Sequence, residues 1–152
     1  MNIIFPKDFI QETLINRIRD IVFRHPYLSF TLIAIGIEFL GKCMLSECKN
    51  WNIKPNKAFK KGIELLKQAD IRYSTIDLKD QLRNGFVHTL SPKSKIKLAE
   101  ARSGSTHFEQ VEGRTVLVIE ILYRDFVKAC HTVLKTNFSK DDKMNKSFTV
   151  VK

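Results

Sequence analysis

Within the six residues Arg83-Asn84-Gly85-Phe86-Val87-His88 the chain sets a guanidinium, a carboxamide and an imidazole. Leu82, Phe86, Val87 and Leu90 bracket them, so the expectation is a polar site let into an apolar surface. Each group has a distinct use on one phosphodiester. Arg83 can make paired hydrogen bonds to phosphate oxygens, Asn84 can position the phosphate or orient the imidazole, and His88 can move a proton near neutral pH. Such a set suits metal-independent RNA cleavage, in which a 2′-hydroxyl attacks the adjacent phosphate. On a regular α-helix Asn84 and His88 share a face, while Arg83 and His88 diverge by about 140°, an angle a long arginine can span. A second reading is structural. His88 then lies near a helix C-terminus, where a cation is favoured, and Arg83 neutralises Glu38, Asp77 or Asp80 in a buried polar network that fixes helix packing or a dimer interface.

The elements that must hold these residues are mostly helical. Phe9, Leu14, Ile18, Ile21 and Val22 recur near helical spacing and predict a first helix over 6–24, ended by His25-Pro26. From 27 to about 49 the pattern is apolar nearly all round through Leu40, as in a central core helix. The strongly apolar stretch 27–40 spans fourteen residues, carries Glu38 and falls short of the ~20 that cross a bilayer. Gly36 and Gly41 mark close approach of neighbours, and Glu38 needs a cation or donors, with Arg83 one available partner and the surface the alternative. Pro55 opens a third helix with Ala58, Phe59, Ile63 and Leu66 on one side and Lys57, Lys60, Lys61 and Lys67 elsewhere, a basic face open to phosphate. Ser74 or Thr75 can cap a fourth helix over 76–90, which carries the arginine and histidine through Gly85 and closes at Ser91-Pro92.

After residue 93 the helical period is lost. Lys93, Lys95 and Lys97 fall in what reads as a flexible loop and are candidates for contact with a nucleic-acid backbone. Residues 106–111 and 114–121 read as an antiparallel β-hairpin about Glu112-Gly113, and 122–135 as the last helix, with Phe126, Val127, Cys130, Val133 and Leu134 on its apolar side. The architecture expected is a mostly α bundle of about five helices with a small hairpin inserted before the last, one domain over 1–138. A frayed tail over 139–152 follows, in which 148–151 can add a short strand.

Composition agrees with one packed domain: 152 residues, 43% hydrophobic, eleven Phe. The formal charge of +10 favours a polyanionic partner, nucleic acid above all, although solvated lysines give the same total. Cys43, Cys48 and Cys130 lack metal-ligand spacing and read as reduced cytosolic thiols, and the N-terminus lacks the basic region and cleavage site of a signal peptide. Cys130 and His131 are adjacent, so they diverge on a helix. His25 and His107 have no carboxylate at metal spacing and receive no ligand role. No metal, cofactor, Gly-rich phosphate loop or membrane association is expected.

Arg83-Asn84-Gly85-Phe86-Val87-His88 resembles the HEPN superfamily pattern of an arginine, a polar residue and a histidine after a gap of four to six. Gly36-Ile37-Glu38-Phe39-Leu40-Gly41 and Tyr123-Arg124-Asp125-Phe126 are similar to segments of one bacterial branch of HEPN-like proteins. The likeness covers roughly residues 30–134. It implies a helical bundle that homodimerises so that two motif copies face one cleft, often as a ribonuclease and in some members as a toxin with a cognate antitoxin or regulator. It equally implies the alternative, a non-catalytic RNA- or nucleotide-binding or assembly module. In the catalytic case Arg83 stabilises phosphate charge, His88 is general base or acid, Asn84 supports both, and the hairpin covers or extends the cleft.

Overall fold

A computed structural model describes residues 2–45, 50–85, 93 and 95–150. The first helix, α1 (6–21), starts at Pro6 and is wound with i→i+5 hydrogen bonds over Ile10–Arg17, which brings Ile10, Leu14 and Ile15 together on its buried side. Pro26 opens α2 (Pro26–Met44) rather than merely ending α1, because proline suits a first helical turn whose N–H needs no partner. Phe30, Ile33, Ala34, Ile37 and Leu40 of α2 are fully buried. By length and composition α2 could cross a bilayer, but half of that window is covered by the rest of the protein.

Helix α3 (Pro55–Lys67) crosses α2 at two glycines. A Cβ on Gly41 would run into the Ala58 carbonyl, and one on Gly62 into the Ile37 carbonyl, so the backbones touch where a side chain would stand. Gly36 performs the same service for Phe126 of the last helix, α5 (Ile119–Lys135). Helix α4 (Lys79–Asn84) is short and also wound with i→i+5 bonds, not the regular α-helix the sequence predicts. Gly85 itself keeps helical dihedrals, and the course expected through 86–90 lies outside the described residues. The expected cap differs as well: the Ser74 and Thr75 hydroxyls bond back to Ile71 and Arg72 carbonyls, and the Asp77 carboxylate accepts from the Asp80 N–H instead.

Before α5 stands a three-stranded mixed sheet, order β2-β4-β3, formed by β2 (Ile96–Ala99), β3 (Gln110–Val111) and β4 (Arg114–Val118). The hairpin β3–β4 turns at Glu112-Gly113, both at positive φ as a two-residue type I′ turn requires. Strand β2 falls in the segment read as a loop. It pairs parallel with β4, Ile96 opposite Thr115, and that partner lies too far along the chain to leave a local signal. Helix α5 begins at Ile119, three residues before the expected start, because β4 runs directly into it.

The polar run after Asn137, read as fraying, turns back onto the bundle. Lys143 and Met144 are buried, the Lys143 ammonium donates to the Leu45 carbonyl at 2.6 Å, and Asp142 caps the turn Lys143–Asn145. Phe148–Val150 forms β5 antiparallel to β1 (Asn2–Ile4). Phe148 joins Phe9, Phe39 and Trp51 in a four-ring cluster in which Phe39 and Trp51 stack with centroids 5.4 Å apart.

Candidate functional site

Helix α4 is anchored by Leu78 and Leu82, both sealed in the core. Asp80 and Gln81 of α4 meet the segment that leads into β2. The Gln81 backbone carbonyl accepts from the Lys93 N–H, and its side-chain oxygen accepts from the Lys95 N–H, at 2.9 and 3.0 Å. Asp80 accepts from the Lys93 ammonium at 2.6 Å and from the Gln81 amide at 3.3 Å, and also from Asn84. The Lys93 contact foremost holds the Asp80 carboxyl below its usual range. Thus Asn84 is half-buried and tied to Asp80, and Lys93, expected on a nucleic-acid backbone, is ion-paired. Between Asp77, Asp80 and Gln81 on one side and Lys95 and Thr115 on the other lies a polar cleft of about 310 Å³.

Arg83 belongs to α4 by its backbone. Its side chain, and His88 entirely, lie outside the described residues, so the expected meeting of guanidinium and imidazole falls there too. Cys48 lies outside them as well. Glu38 forms an ion pair one turn along its own helix, with Lys42 at 3.2 Å. On α3, Lys57 and Lys60 are exposed and Lys61 pairs with Glu64 at 2.9 Å; Lys95 and Lys97 are exposed at the sheet edge.

A second polar cluster went unread in the sequence. Phe108, at φ 68, and Glu109 both oppose Val116, since the Phe108 N–H bonds to the Val116 carbonyl and the Val116 N–H to the Glu109 carbonyl. This β-bulge swings His107 into the core, where its Nδ1 accepts the Val118 N–H at 2.9 Å. The proton is therefore on Nε2, which donates to the Tyr73 hydroxyl at 3.1 Å, and that hydroxyl donates to Asp125 Oδ2 at 3.0 Å. Asp125 Oδ1 takes Arg124 Nε at 3.1 Å and Lys128 Nζ at 3.2 Å.

Burial raises the Tyr73 pKa, with the Asp125 charge adding to it, and burial holds His107 down to about 4 against the pull of Asp125. Exposures of 0%, 5% and 1% for Tyr73, His107 and Asp125 seal the relay from any substrate. Its work is to fasten the inserted sheet, through residues 34 and 52 positions from Tyr73, onto α5. Asp125 stands in one of the blocks quoted above and Phe126 beside it packs on Gly36 of another, yet neither spacing shows that Tyr73 completes the set.

Cys43 and Cys130 are free and buried, and burial raises both thiol pKa values. His131, beside Cys130, is exposed, as the divergence of neighbours on a helix requires. Among the described residues no group of three or more His, Cys, Asp or Glu side chains is placed to hold a metal ion. An apolar cleft of about 420 Å³ lies between α1 and α2, lined by Phe9, Leu14, Ile21, Leu32, Ile35 and Phe39 with Arg17 and Asp20 at its rim. Comparison of the chain with protein-family models, with curated proteins and with solved structures found no match to any of them.

Proposed function

We propose that the chain is a HEPN-like, homodimeric protein that cleaves RNA without a metal, through Arg83, Asn84 and His88. The observation that carries this reading is the Arg-Asn-x-x-x-His motif, whose first two residues stand in α4. The i→i+5 winding there is a local departure of a kind frequent at functional sites. Support also comes from the +10 charge and, among the described residues, from a mostly helical fold of five helices with a small sheet before the last.

In this mechanism His88 removes the 2′-hydroxyl proton and the freed oxygen attacks the adjacent phosphorus. The 5′-oxygen leaves with a proton returned by the imidazolium of His88, directly or through water, and the products are a 2′,3′-cyclic phosphate and a 5′-hydroxyl. Arg83 stabilises the charge that builds on the non-bridging oxygens, and Asn84 orients the phosphate or the imidazole. A cognate inhibitory or regulatory protein would fit the toxin-like version of this reading. The test is cleavage of labelled RNA in the presence of a chelator. His88→Ala and Arg83→Ala are each expected to lower the rate at least ~100-fold with unchanged circular dichroism. Wild-type protein that leaves structured and single-stranded RNA intact, or variants as active as wild type, overturns it.

The second reading is a non-catalytic binding or assembly module. The engagement of Asn84 and Lys93 with Asp80 favours it, because these contacts already use groups the catalytic reading would direct at RNA. The exposed apolar cleft between α1 and α2 favours it too. Salt-sensitive RNA binding that survives His88→Ala, with no cleavage by wild type, would select this reading.

A further inference from the structure

We infer that the pocket between the amino end of α2 and the edge strand β2 is a nucleotide subsite, holding one base and its phosphate from a single-stranded RNA. The inference deepens the RNA reading and rests on it. The pocket encloses about 370 Å³ and is lined by Tyr27, Phe30, Lys97, Glu100, Ser103 and Ser105 among others. Three chemistries converge there. Tyr27, 62% exposed, offers an aromatic ring on the wall, and every base has a face that can stack on one. Lys97 offers an exposed ammonium, for which no base edge is a better partner than phosphate. Ser103 and Ser105, whose hydroxyls are 3.1 Å apart, offer hydrogen-bonding groups for a base edge or a 2′-hydroxyl.

The surrounding charges agree. Glu100, the carboxylate in the pocket, is neutralised by Arg102, whose Nη2 lies 2.8 Å from Oε2. The N-terminus of α2, a helix of nineteen residues with no side-chain cap at His25, opens at Pro26 and Tyr27 and adds a partial positive charge.

Position ties the pocket to α4. Gln81 of α4 holds the Lys93 and Lys95 backbone N–H groups, and from there the chain runs through Lys95 into β2 and to Lys97. Among the described residues β2 is the edge strand of its sheet. Along this path exposed Lys95 and Lys97 offer successive cations to the phosphates of an RNA strand, with Tyr27 beside Lys97 in the pocket to receive a base. Charge along the backbone with an aromatic platform for a base is the combination by which single strands are bound without strong sequence preference.

The experiment is fluorescence anisotropy of full-length protein with 5′-labelled oligouridylate and oligoadenylate of about ten nucleotides, in the His88→Ala background so that the probe survives. Tyr27→Ala is expected to weaken binding about tenfold, and Tyr27→Phe to restore it, because stacking needs the ring and not the hydroxyl. Lys97→Gln is expected to reduce the slope of log affinity against log salt by about 0.7. Binding of normal strength in both Tyr27→Ala and Lys97→Gln, with loss in Arg83→Ala, removes the subsite and leaves the RNA reading standing. Binding that depends on Tyr27 and Lys97, with wild type never cleaving, keeps the subsite and removes the ribonuclease. No binding at low salt removes both. Displacement of the oligonucleotide by AMP or UMP at equal nucleotide concentration makes the occupant a free nucleotide and overturns the single-strand assignment.

Discussion

The Tyr73 hydroxyl stands 3.0 Å from Asp125 Oδ2 and 3.1 Å from His107 Nε2, donating to the first and accepting from the second. One buried oxygen thereby joins a short 3₁₀ turn (Ile71–Ser74), the bulged strand before β3, and α5. Removing it leaves Asp125 Oδ2 and His107 Nε2 without their hydrogen bond in a space closed to water. Tyr73→Phe, which keeps the ring packing, is expected to destabilise the fold by about 2 kcal/mol, the cost of unsatisfying a buried charged acceptor. Urea unfolding followed by Trp51 fluorescence measures it; a change within error would show that the relay contributes no net stability.

His107 makes that relay sensitive to pH. Its folded pKa is about 4 against an ordinary 6.5, so between these values the unfolded chain binds a proton that the folded chain refuses. Stability is therefore complete above pH 6.5, falls as pH drops towards 4, and loses up to roughly 3 kcal/mol from this group across the window. His107→Gln should flatten that part of the pH profile whatever its effect at pH 7. An undiminished slope in the variant would assign the acid sensitivity to other groups.

Gly41 and Gly62 admit a close backbone approach between α2 and α3. Gly41→Ala places a methyl group on the Ala58 carbonyl, which belongs to helix backbone and cannot swing aside. A loss of about 1–3 kcal/mol or more is expected, against a gain of about 1 kcal/mol for the same change at an unobstructed mid-helix glycine. Thermal melts of Gly41→Ala and Gly62→Ala report it, and an unchanged or raised midpoint would show that α2 and α3 can separate freely.

Cys43 and Cys130 are fully buried with raised thiol pKa values, so neither presents a reactive thiolate near neutral pH. Brief alkylation of native protein with iodoacetamide, followed by peptide mapping, should leave both unmodified, and denaturant should expose both. Rapid native modification of either would mean that the α2–α5 core opens readily.

Some of this was legible in the sequence. Apolar residues at helical spacing, with Pro6, Pro26 and Pro55 as punctuation, place the three N-terminal helices to within a few residues, because helix hydrogen bonds and amphipathic faces are local. Glu112-Gly113 between apolar runs gives the hairpin turn for the same reason. Gly36 and Gly41 were readable as close approaches, though not by partner, and Gly62 was not.

What only the tertiary structure decided involves partners distant in the chain. Strand β2 exists because Arg114–Val118 offers it a parallel edge, and its own lysines say loop. The segment 139–145 packs because Lys143 finds the Leu45 carbonyl, although its composition says tail. The i→i+5 winding of α4 replaces the regular geometry from which the faces of Arg83 and Asn84 were read. Tyr73, His107 and Asp125 carry no shared spacing at all, and what unites them is the bulge at Phe108 and the burial that makes each hydrogen bond obligatory. Residue types determined which chemistry was available to this chain. Long-range packing alone determined which of its polar groups are spent on holding it together, since a buried donor or acceptor takes whatever partner the fold brings, however far along the chain.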